Sequence, residues 1–469
     1  MSSVHKTTTQ PRNTRSPRKK KRELQIMNIE VLQRIILDFQ KSEFPPLTRR
    51  DLEITPIANM SFAVVGSRRA GKTFRTYQYA SELIERGVAR ENICRIQFHD
   101  PRLRTLSVDD LTQIDTAYFA LYPEKQGKED IFFIFDEIHR IEGWEDYVLH
   151  LLDGHRNKVL ITGSTSKLLK GDIASGLRGK NFSRELLPFS FGEFARHYEV
   201  EPDTVSTGGA TRLIKLLQRY IRQGGFPGLL DLPPELHRDL LESYWDTMVL
   251  RDIIEAHPDD NINIVAFSRF SHALLSRTSC PVTINKIIVN LRRDGVRFSA
   301  ETLYRYMHYL QEAYMLFSVE FFSSSEKVRS QNYRKVYAVD WALADAIVPA
   351  EGVDPTRQFE NLIYLELRRR GYKISYYRTR QGHEVDFVAV RKRGRSSDRE
   401  LYQVCYAMDT ASVRERELRA IPPAAAHLKT TRNCIITFNS EETTNIDGVT
   451  VEVIPAWKWL LSASSAAAS

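Results

Sequence analysis

Eight residues from Gly66 to Thr73 read GSRRAGKT and match G-x-x-x-x-G-K-[ST] at every fixed position. Glycines at Gly66 and Gly71 let the chain fold tightly, so that the N–H groups of Ser67, Arg68, Arg69 and Ala70 point at a phosphate. Lys72 then meets the β- and γ-phosphates, Thr73 holds Mg2+, and Phe74 follows in the first turn of the next helix. The chemistry is that of a nucleoside triphosphate, and ATP with Mg2+ is the expected ligand pair.

A second group lies at the end of the apolar run from Ile131 to Phe135, which finishes in Asp136 and Glu137. Carboxylates ending a buried strand are costly unless used. Asp136 suits the Mg2+-holding role of a Walker B aspartate, and Glu137 suits polarisation of a water for attack on the γ-phosphate. A third run, Val159 to Thr162, leads into Gly163, Ser164, Thr165 and Ser166. There Thr162 or Ser164 serves either as a γ-phosphate sensor or as an ordinary turn former.

These groups need strands and helices in fixed places. Ser61 to Val65 forms a buried strand before the loop, and Tyr77, Ala80 and Ile84 recur at helical spacing until Gly87. The fold class is therefore α/β, with a parallel sheet covered by helices on both faces over residues 28–187.

The stretches GSRRAGKT, IFFIFDEIH, LITGSTSKLL, LPFSFGEF (from Leu187), GGFP (Gly224 to Pro227), FENLIYLELRRRG and GHEVDFVAV together resemble a known family. It is that of prokaryotic AAA-type ATPases with a P-loop amino-terminal domain and a carboxy-terminal domain of unknown function. The likeness runs from about Met60 to about Leu418. It implies a P-loop NTPase of AAA type that binds a purine nucleotide.

Length suggests two to three domains. No run is long and apolar enough to span a membrane, and the amino terminus lacks the apolar core of a secretory signal, so a cytoplasmic protein is expected. Cys94, Cys280, Cys405 and Cys434 lie far apart, which suits neither a zinc site nor a disulfide framework. The net charge of +8 has one source: residues 1–22 hold eight bases and no acid, while the remaining 59 bases balance 59 acids. Residues 1–27 read as a disordered basic tail able to bind phosphates by counterion release, or as a solubilising leader, and residues 462–469 as a second disordered tail.

Residues 188–260 read as a helical lid, with Leu213, Leu216, Leu217 and Tyr220 on one stripe and Leu240, Leu241, Tyr244 and Trp245 on another. The glycines of Gly224 to Pro227 are expected to let it move. Arg178 is the first candidate, and Arg251 the second, for an arginine reaching a γ-phosphate in its own subunit or in a neighbour of a homo-oligomer. Residues 261–340 suit a winged helix-turn-helix, with caps at Thr283 and Ser299 and with Arg292, Arg293, Arg297 and Arg305 placed to meet DNA or to remain solvated.

Residues 341–461 are similar to restriction-endonuclease-like folds, whose acidic and amide positions are matched by Glu360, Asp386 and Gln403. The lysine position is Cys405, which supplies no charge at neutral pH, so phosphodiester cleavage is not expected unless a base such as Lys373 substitutes. Between Glu366 and Glu400 there are 11 bases and 5 acids, with Tyr376 and Tyr377 as stacking candidates, a composition suited to polyanions. The expected protein is an ATP hydrolase coupled to a DNA-binding carboxy-terminal half. The alternative is a nucleotide-gated nuclease or defence-type effector.

Overall fold

The computed structural model describes residues 17–154, 156–164, 176–293, 299–348, 354–393 and 396–462. Helix α1 (Pro17–Lys41) leads to β1 (Ser61–Val65), α2 (Lys72–Glu85), β2 (Ile93–Gln97), α3 (Gln113–Leu121), β3 (Ile131–Asp136), α4 (Trp144–Asp153), β4 (Asn157–Gly163) and β5 (Asn181–Glu185). The five strands pair in parallel in the order β2-β3-β4-β1-β5. The residues of β1 and β3 are buried throughout because both faces are covered. Leu32, Ile114, Tyr118, Val148 and Leu151 pack on one face and Tyr79, Ala80 and Leu83 on the other. The carboxyl ends of β1, β3 and β4 thus meet at one edge, where open α/β sheets bind ligands.

The start of α1 revises the expected tail. Residues 1–16 lie outside the described residues, but residues 17–27 belong to a helix whose later turns anchor Leu32, Ile35 and Ile36 in the core. Residues 463–469 also lie outside.

The next segment is helical: α5 (Phe191–His197), α6 (Thr207–Gln223) and α7 (His237–Met248), the last running into a π-helical turn at Val249–Ile254. Ser190 and Glu193 form a capping box on α5, and Ser206 caps α6. Helix α6 stops at Gly224, whose φ of 80° and ψ of −173° are open essentially to glycine alone. The glycines here are clamps. The Gly225 N–H donates to Asp340 Oδ2 at 2.7 Å and its carbonyl accepts from Phe189 N at 2.7 Å. A Cβ on Gly224 would lie 2.4 Å from Asp340 Oδ1. The expectation of a flexible hinge at Gly224 to Pro227 is therefore corrected, since close backbone approach explains both residues.

Helix α8 (Ile264–Leu275), β6 (Pro281–Val282), α9 (Ile284–Arg293), α10 (Ala300–Glu312), β7 (Leu316–Val319), α11 (Glu326–Gln331) and β8 (Arg334–Ala338) follow, with an antiparallel sheet in the order β6-β8-β7. Ser299 caps α10 through the Thr302 N–H, whereas the Thr283 hydroxyl is buried with no hydrogen-bond partner among the described residues. Arg297 and the side chains of Arg292 and Arg293 lie outside the description. Arg305 faces Asp260 at 3.6 Å.

Helix α12 (Trp341–Ile347) packs back onto α6, its Trp341 Nε1 donating to Ile221 O at 2.7 Å. The last domain has α13 (Pro355–Arg369), β9 (Lys373–Arg378), β10 (Glu384–Arg393), β11 (Ser396–Cys405), α14 (Ala411–Leu418), α15 (Ile421–Leu428), β12 (Arg432–Thr437), β13 (Glu442–Ile446), β14 (Val449–Pro455) and α16 (Ala456–Leu461). Its mixed sheet runs β13-β14-β12-β11-β10-β9.

One apolar cluster runs from Leu32 to Leu460 and joins all these parts. Polar contacts reinforce it: Arg368 pairs with Glu185 on β5 at 2.7 Å, and Arg369 pairs with Glu366 and donates to Pro188 O. Arg370 also pairs with Glu366 and donates to Trp459 O. Arg368, Arg369 and Arg370, three of the 11 bases whose density suited a polyanion, instead form the seam between domains, and Tyr376 and Tyr377 are buried and unavailable for stacking. The side chains of Lys392 and Arg393 lie outside the description. No described helix is long and apolar enough to cross a membrane.

Gly87 and Gly224 provide a matched test, since both have positive φ but a Cβ on Gly87 meets nothing within 4 Å. Gly87→Ala is expected to cost about 1 kcal/mol, the price of a left-handed alanine alone. Gly224→Ala is expected to cost several-fold more in denaturant unfolding, and equal losses would show that the Gly224–Asp340 contact is loose.

Candidate nucleotide site

The loop between β1 and α2 is shaped by exclusion. A Cβ on Gly66 would fall 2.2 Å from Leu186 O, and Gly71, at φ 98°, turns the chain into α2. Lys72 is buried, its Nζ donating to Gly66 O at 3.0 Å and to Ser67 O at 2.9 Å. Burial pulls the Lys72 pKa below its ordinary value, against the opposing fields of Glu137, Asp252 and Asp136. Ser67 Oγ is buried with no hydrogen-bond partner among the described residues, an unmet polar atom inside the cradle. Arg50, unnoticed in the sequence, braces the loop from outside: it donates to Ala70 O at 2.8 Å and to Leu187 O at 2.6 Å, and pairs with Glu193. Thr73 and Phe74 stand in the first turn of α2, Phe74 half-exposed.

Asp136 ends β3 fully buried. Its Oδ1 accepts from Thr162 Oγ1 at 2.6 Å and its Oδ2 faces Arg95 at 3.2 Å. Thr162 also accepts the Glu137 N–H at 3.0 Å, so its hydroxyl is committed to holding the two acids. Arg95 was legible only as one charge interrupting an apolar strand. Glu137 adopts φ 63°, a left-handed conformation that costs about 1–2 kcal/mol for a non-glycine residue. Burial pushes its pKa up, but Lys72, His139 and Arg68 outweigh it and hold the carboxyl below its ordinary value. His139 Nε2 stands 3.7 Å from Glu137 Oε2, and burial pulls the imidazole pKa down.

The helical segment after β5 meets the loop through charges. Arg68 grips Asp252 with two bonds, Nε to Oδ2 at 3.0 Å and Nη2 to Oδ1 at 2.6 Å, and Ser164 Oγ donates to the same Oδ1 at 3.2 Å. Arg69 lies over the Tyr244 ring at 5.3 Å. Sequence reasoning singled out Arg251, which is exposed and paired with Glu255, and missed its buried neighbour Asp252. Arg178 is also corrected as a residue acting within its own subunit. It precedes β5, whose first residue Asn181 pairs with Ser61 at the far end of β1 from the loop, roughly 16 Å away along the strand. Thr165 and Ser166 lie outside the described residues.

The donor set fits Mg2+ and a triphosphate. A hydroxyl on Thr73 and the braced Asp136 carboxylate are hard oxygens of the type that hold Mg2+ together with phosphate oxygens and water. Ser67 Oγ, without a hydrogen-bond partner among the described residues, and the Lys72 ammonium, bonded among them only to two backbone carbonyls, are open to phosphate oxygens.

In the carboxy-terminal domain the four expected residues do not share one face. Glu360 and Asp386 meet around a residue not foreseen: Lys335 of β8, whose Nζ lies 3.1 Å from Glu360 Oε1, 2.9 Å from Glu384 Oε1 and 3.1 Å from Asp386 Oδ1. Gln403 accepts the Asp386 N–H through Oε1 at 3.2 Å and donates to Glu417 at 2.8 Å, so it braces the backbone instead of facing Lys335, and Cys405 packs in a separate apolar cluster with Leu418 and Ile421, its thiol pushed up to about 11 mainly by burial. Strand alternation puts Tyr402 and Val404 on the first face and Cys405 on the second. Lys373 pairs with Val390, at the opposite end of β9 from the Arg378–Glu384 pair, and does not reach the cluster. Burial pulls the Lys335 pKa down, but the surrounding acids and Tyr337 hold it well above its ordinary value. Burial raises Glu360 and Asp386, with Lys335 offsetting only part of it, because one ammonium serves three acids.

Family profiles divide the chain similarly. One described as an AAA domain matches residues 58–195, and two described as domains of unknown function, DUF8612 and DUF4143, match residues 214–354 and 356–459. An uncharacterized protein of Methanocaldococcus jannaschii is 31% identical over 447 residues, covering 92% of this chain and 95% of its own. An uncharacterized protein of Haemophilus influenzae is 29% identical over 407 residues, covering 85% and 93%. Among solved structures, a Walker-type ATPase of Pyrococcus abyssi shares 14% identity over 62% of this chain and 91% of its own, with a TM-score of 0.39. Cdc6p of Pyrobaculum aerophilum shares 11% over 75% and 94%, with a TM-score of 0.23.

Lys335 falls within the second profile and its three acids within the third, so the cluster ties two domains together. Lys335→Met is expected to destabilise the protein by about 3–5 kcal/mol at pH 8, since it leaves buried acids without their cation. With the cation gone, the carboxyl pKa values rise further. Stability is then present below the ordinary carboxylate range and lost as pH climbs through the raised values, so the gap to wild type should widen from pH 5 to pH 8. A gap independent of pH in denaturant melts would contradict the charge assignment.

Proposed function

Because the chain belongs to the prokaryotic family that joins an AAA domain to carboxy-terminal domains of unknown function, we propose that it binds and hydrolyses ATP with Mg2+ and passes the change to its carboxy-terminal half. The observation that carries this is the nearness of Lys72 and Glu137 in one field: an ammonium held, among the described residues, by loop carbonyls alone, and a carboxylate that this ammonium helps to hold below its ordinary pKa. Lys72 exchanges its bonds to Gly66 O and Ser67 O for the β- and γ-phosphate oxygens. Mg2+, held by Thr73 and Asp136, would screen phosphate charge when bound. Glu137, ionised at neutral pH, orients a water and draws its proton as the γ-phosphoryl group departs. Thr162 and Arg95 keep Asp136 still, and Thr162 fixes the Glu137 backbone.

The path outward is supported by contacts: Arg68 and Arg69 engage the lid, Gly225 binds Asp340, and Trp341 binds Ile221. DNA is the proposed polyanionic partner, on the charge of residues 1–22 and on the half-exposed Arg305 of a module with winged-helix element order. Arg178, exposed at the sheet edge, is proposed to act only on a neighbouring subunit. Phosphodiester cleavage is disfavoured, since the ammonium of Lys335 sits among the acids that would otherwise hold a metal.

Lys72→Ala should weaken ATP binding at least a hundredfold in isothermal titration, while Glu137→Gln should keep affinity within a few-fold and lose turnover by about 10²–10³. Equal loss of affinity in both variants would make Glu137 structural. Deleting residues 1–22 should weaken salt-sensitive DNA retention in a filter assay by about tenfold or more, leaving only what Arg305 contributes; undiminished retention would move the contact wholly to the body of the protein.

A further inference from the structure

We propose that Asp252 is a positioning residue that latches the lid by competing with the γ-phosphate for Arg68. This rests on the assignment of the loop to ATP. Asp252 sits on the π-helical turn, 4% exposed, with both oxygens engaged by the Arg68 guanidinium and Oδ1 also by Ser164. Arg68 belongs to the phosphate loop itself, two residues beyond Gly66, and Ser164 ends the β4 edge of the same site. Asp252 also lies close enough to Lys72 to support its charge. The cations that must receive a triphosphate are thus already faced by a carboxylate, and that carboxylate belongs to the lid.

Two oxygens of a tetrahedral γ-phosphate accept the guanidinium fork as the two oxygens of a carboxylate do, with more charge and a further acceptor oxygen. Its arrival draws Arg68 away and repels Asp252. ADP, which ends at the β-phosphate, makes no such exchange. π-helical turns are rare and gather at functional sites, so Val249–Ile254 is a natural place for the lid to release. Helix α7 runs directly into that turn and packs on α12, whose capping residue Asp340 binds Gly225. Loss of the γ-phosphate restores the Arg68–Asp252 pair and closes the latch.

The test uses the full chain with Mg2+ and two probes, the non-hydrolysed analogue AMP-PNP and ADP. Asp252→Asn should bind AMP-PNP about tenfold more tightly than wild type while ADP affinity moves less than twofold. Arg68→Gln should lose the preference for AMP-PNP, and adding Asp252→Asn to it should restore nothing. In wild type, AMP-PNP but not ADP should speed amide exchange over residues 244–254, a readout that does not depend on any variant folding. If both nucleotides bind but exchange there is the same with each, or if Asp252→Asn leaves the AMP-PNP to ADP ratio unchanged, the latch is overturned while the ATP site stands. If neither nucleotide binds the wild type, both fall together.

Discussion

A buried ammonium with no carboxylate in direct contact among the described residues is the constraint on which the nucleotide site depends. Lys72 lies inside the protein with, among the described residues, only the carbonyls of Gly66 and Ser67 as hydrogen-bond partners, and three acids act on it from farther away. Such an arrangement is tolerable because the loop supplies dipoles, yet it leaves the charge incompletely answered. The surrounding features follow from it. Glu137 is kept ionised partly by that ammonium, Asp136 is locked by Thr162 and Arg95 instead of turning toward it, and Arg50 keeps the loop from collapsing outward.

A second buried lysine shows the opposite solution. Lys335 touches three carboxylates at 2.9–3.1 Å, so its charge is answered in full and nothing is left for a ligand to do. Both lysines are inaccessible to solvent and both sit at strand or helix ends among acids, yet one site is open to exchange and the other is closed. Direct ion pairing separates them. The closed cluster has another consequence: it welds β8 to α13 and β10, and with the Arg368–Glu185 and Arg369–Pro188 contacts it makes the carboxy-terminal domain a partner of the ATPase sheet.

Much of the nucleotide site could be read directly from the sequence, because its residues are adjacent in the chain and their roles depend on spacing: Gly66 to Thr73, Asp136 and Glu137. Helix stripes such as Leu213, Leu216, Leu217 and Tyr220 were legible for the same reason. What could not be read were partners brought together from distant positions. Arg50, Arg95, Asp252 and Lys335 each acquire meaning from a residue far along the chain, and alone each reads only as an isolated charge. The triple arginine from Arg368 to Arg370 misled for that reason: charge density was visible, but Glu185, Glu366 and Pro188 were not. The glycines at Gly224 and Gly225 likewise signalled a special backbone without revealing that Asp340 occupies the space a side chain would need.

The central claim is that the loop, Asp136 and Glu137 together form a working ATP-hydrolysing site. Phosphate release from ATP by the purified full chain, followed with Mg2+ and with the metal chelated, tests it most directly. The account predicts Mg2+-dependent turnover on the order of 0.01–10 per second, absent without the metal. Release no faster with Mg2+ than from ATP in buffer, at saturating nucleotide, would contradict it.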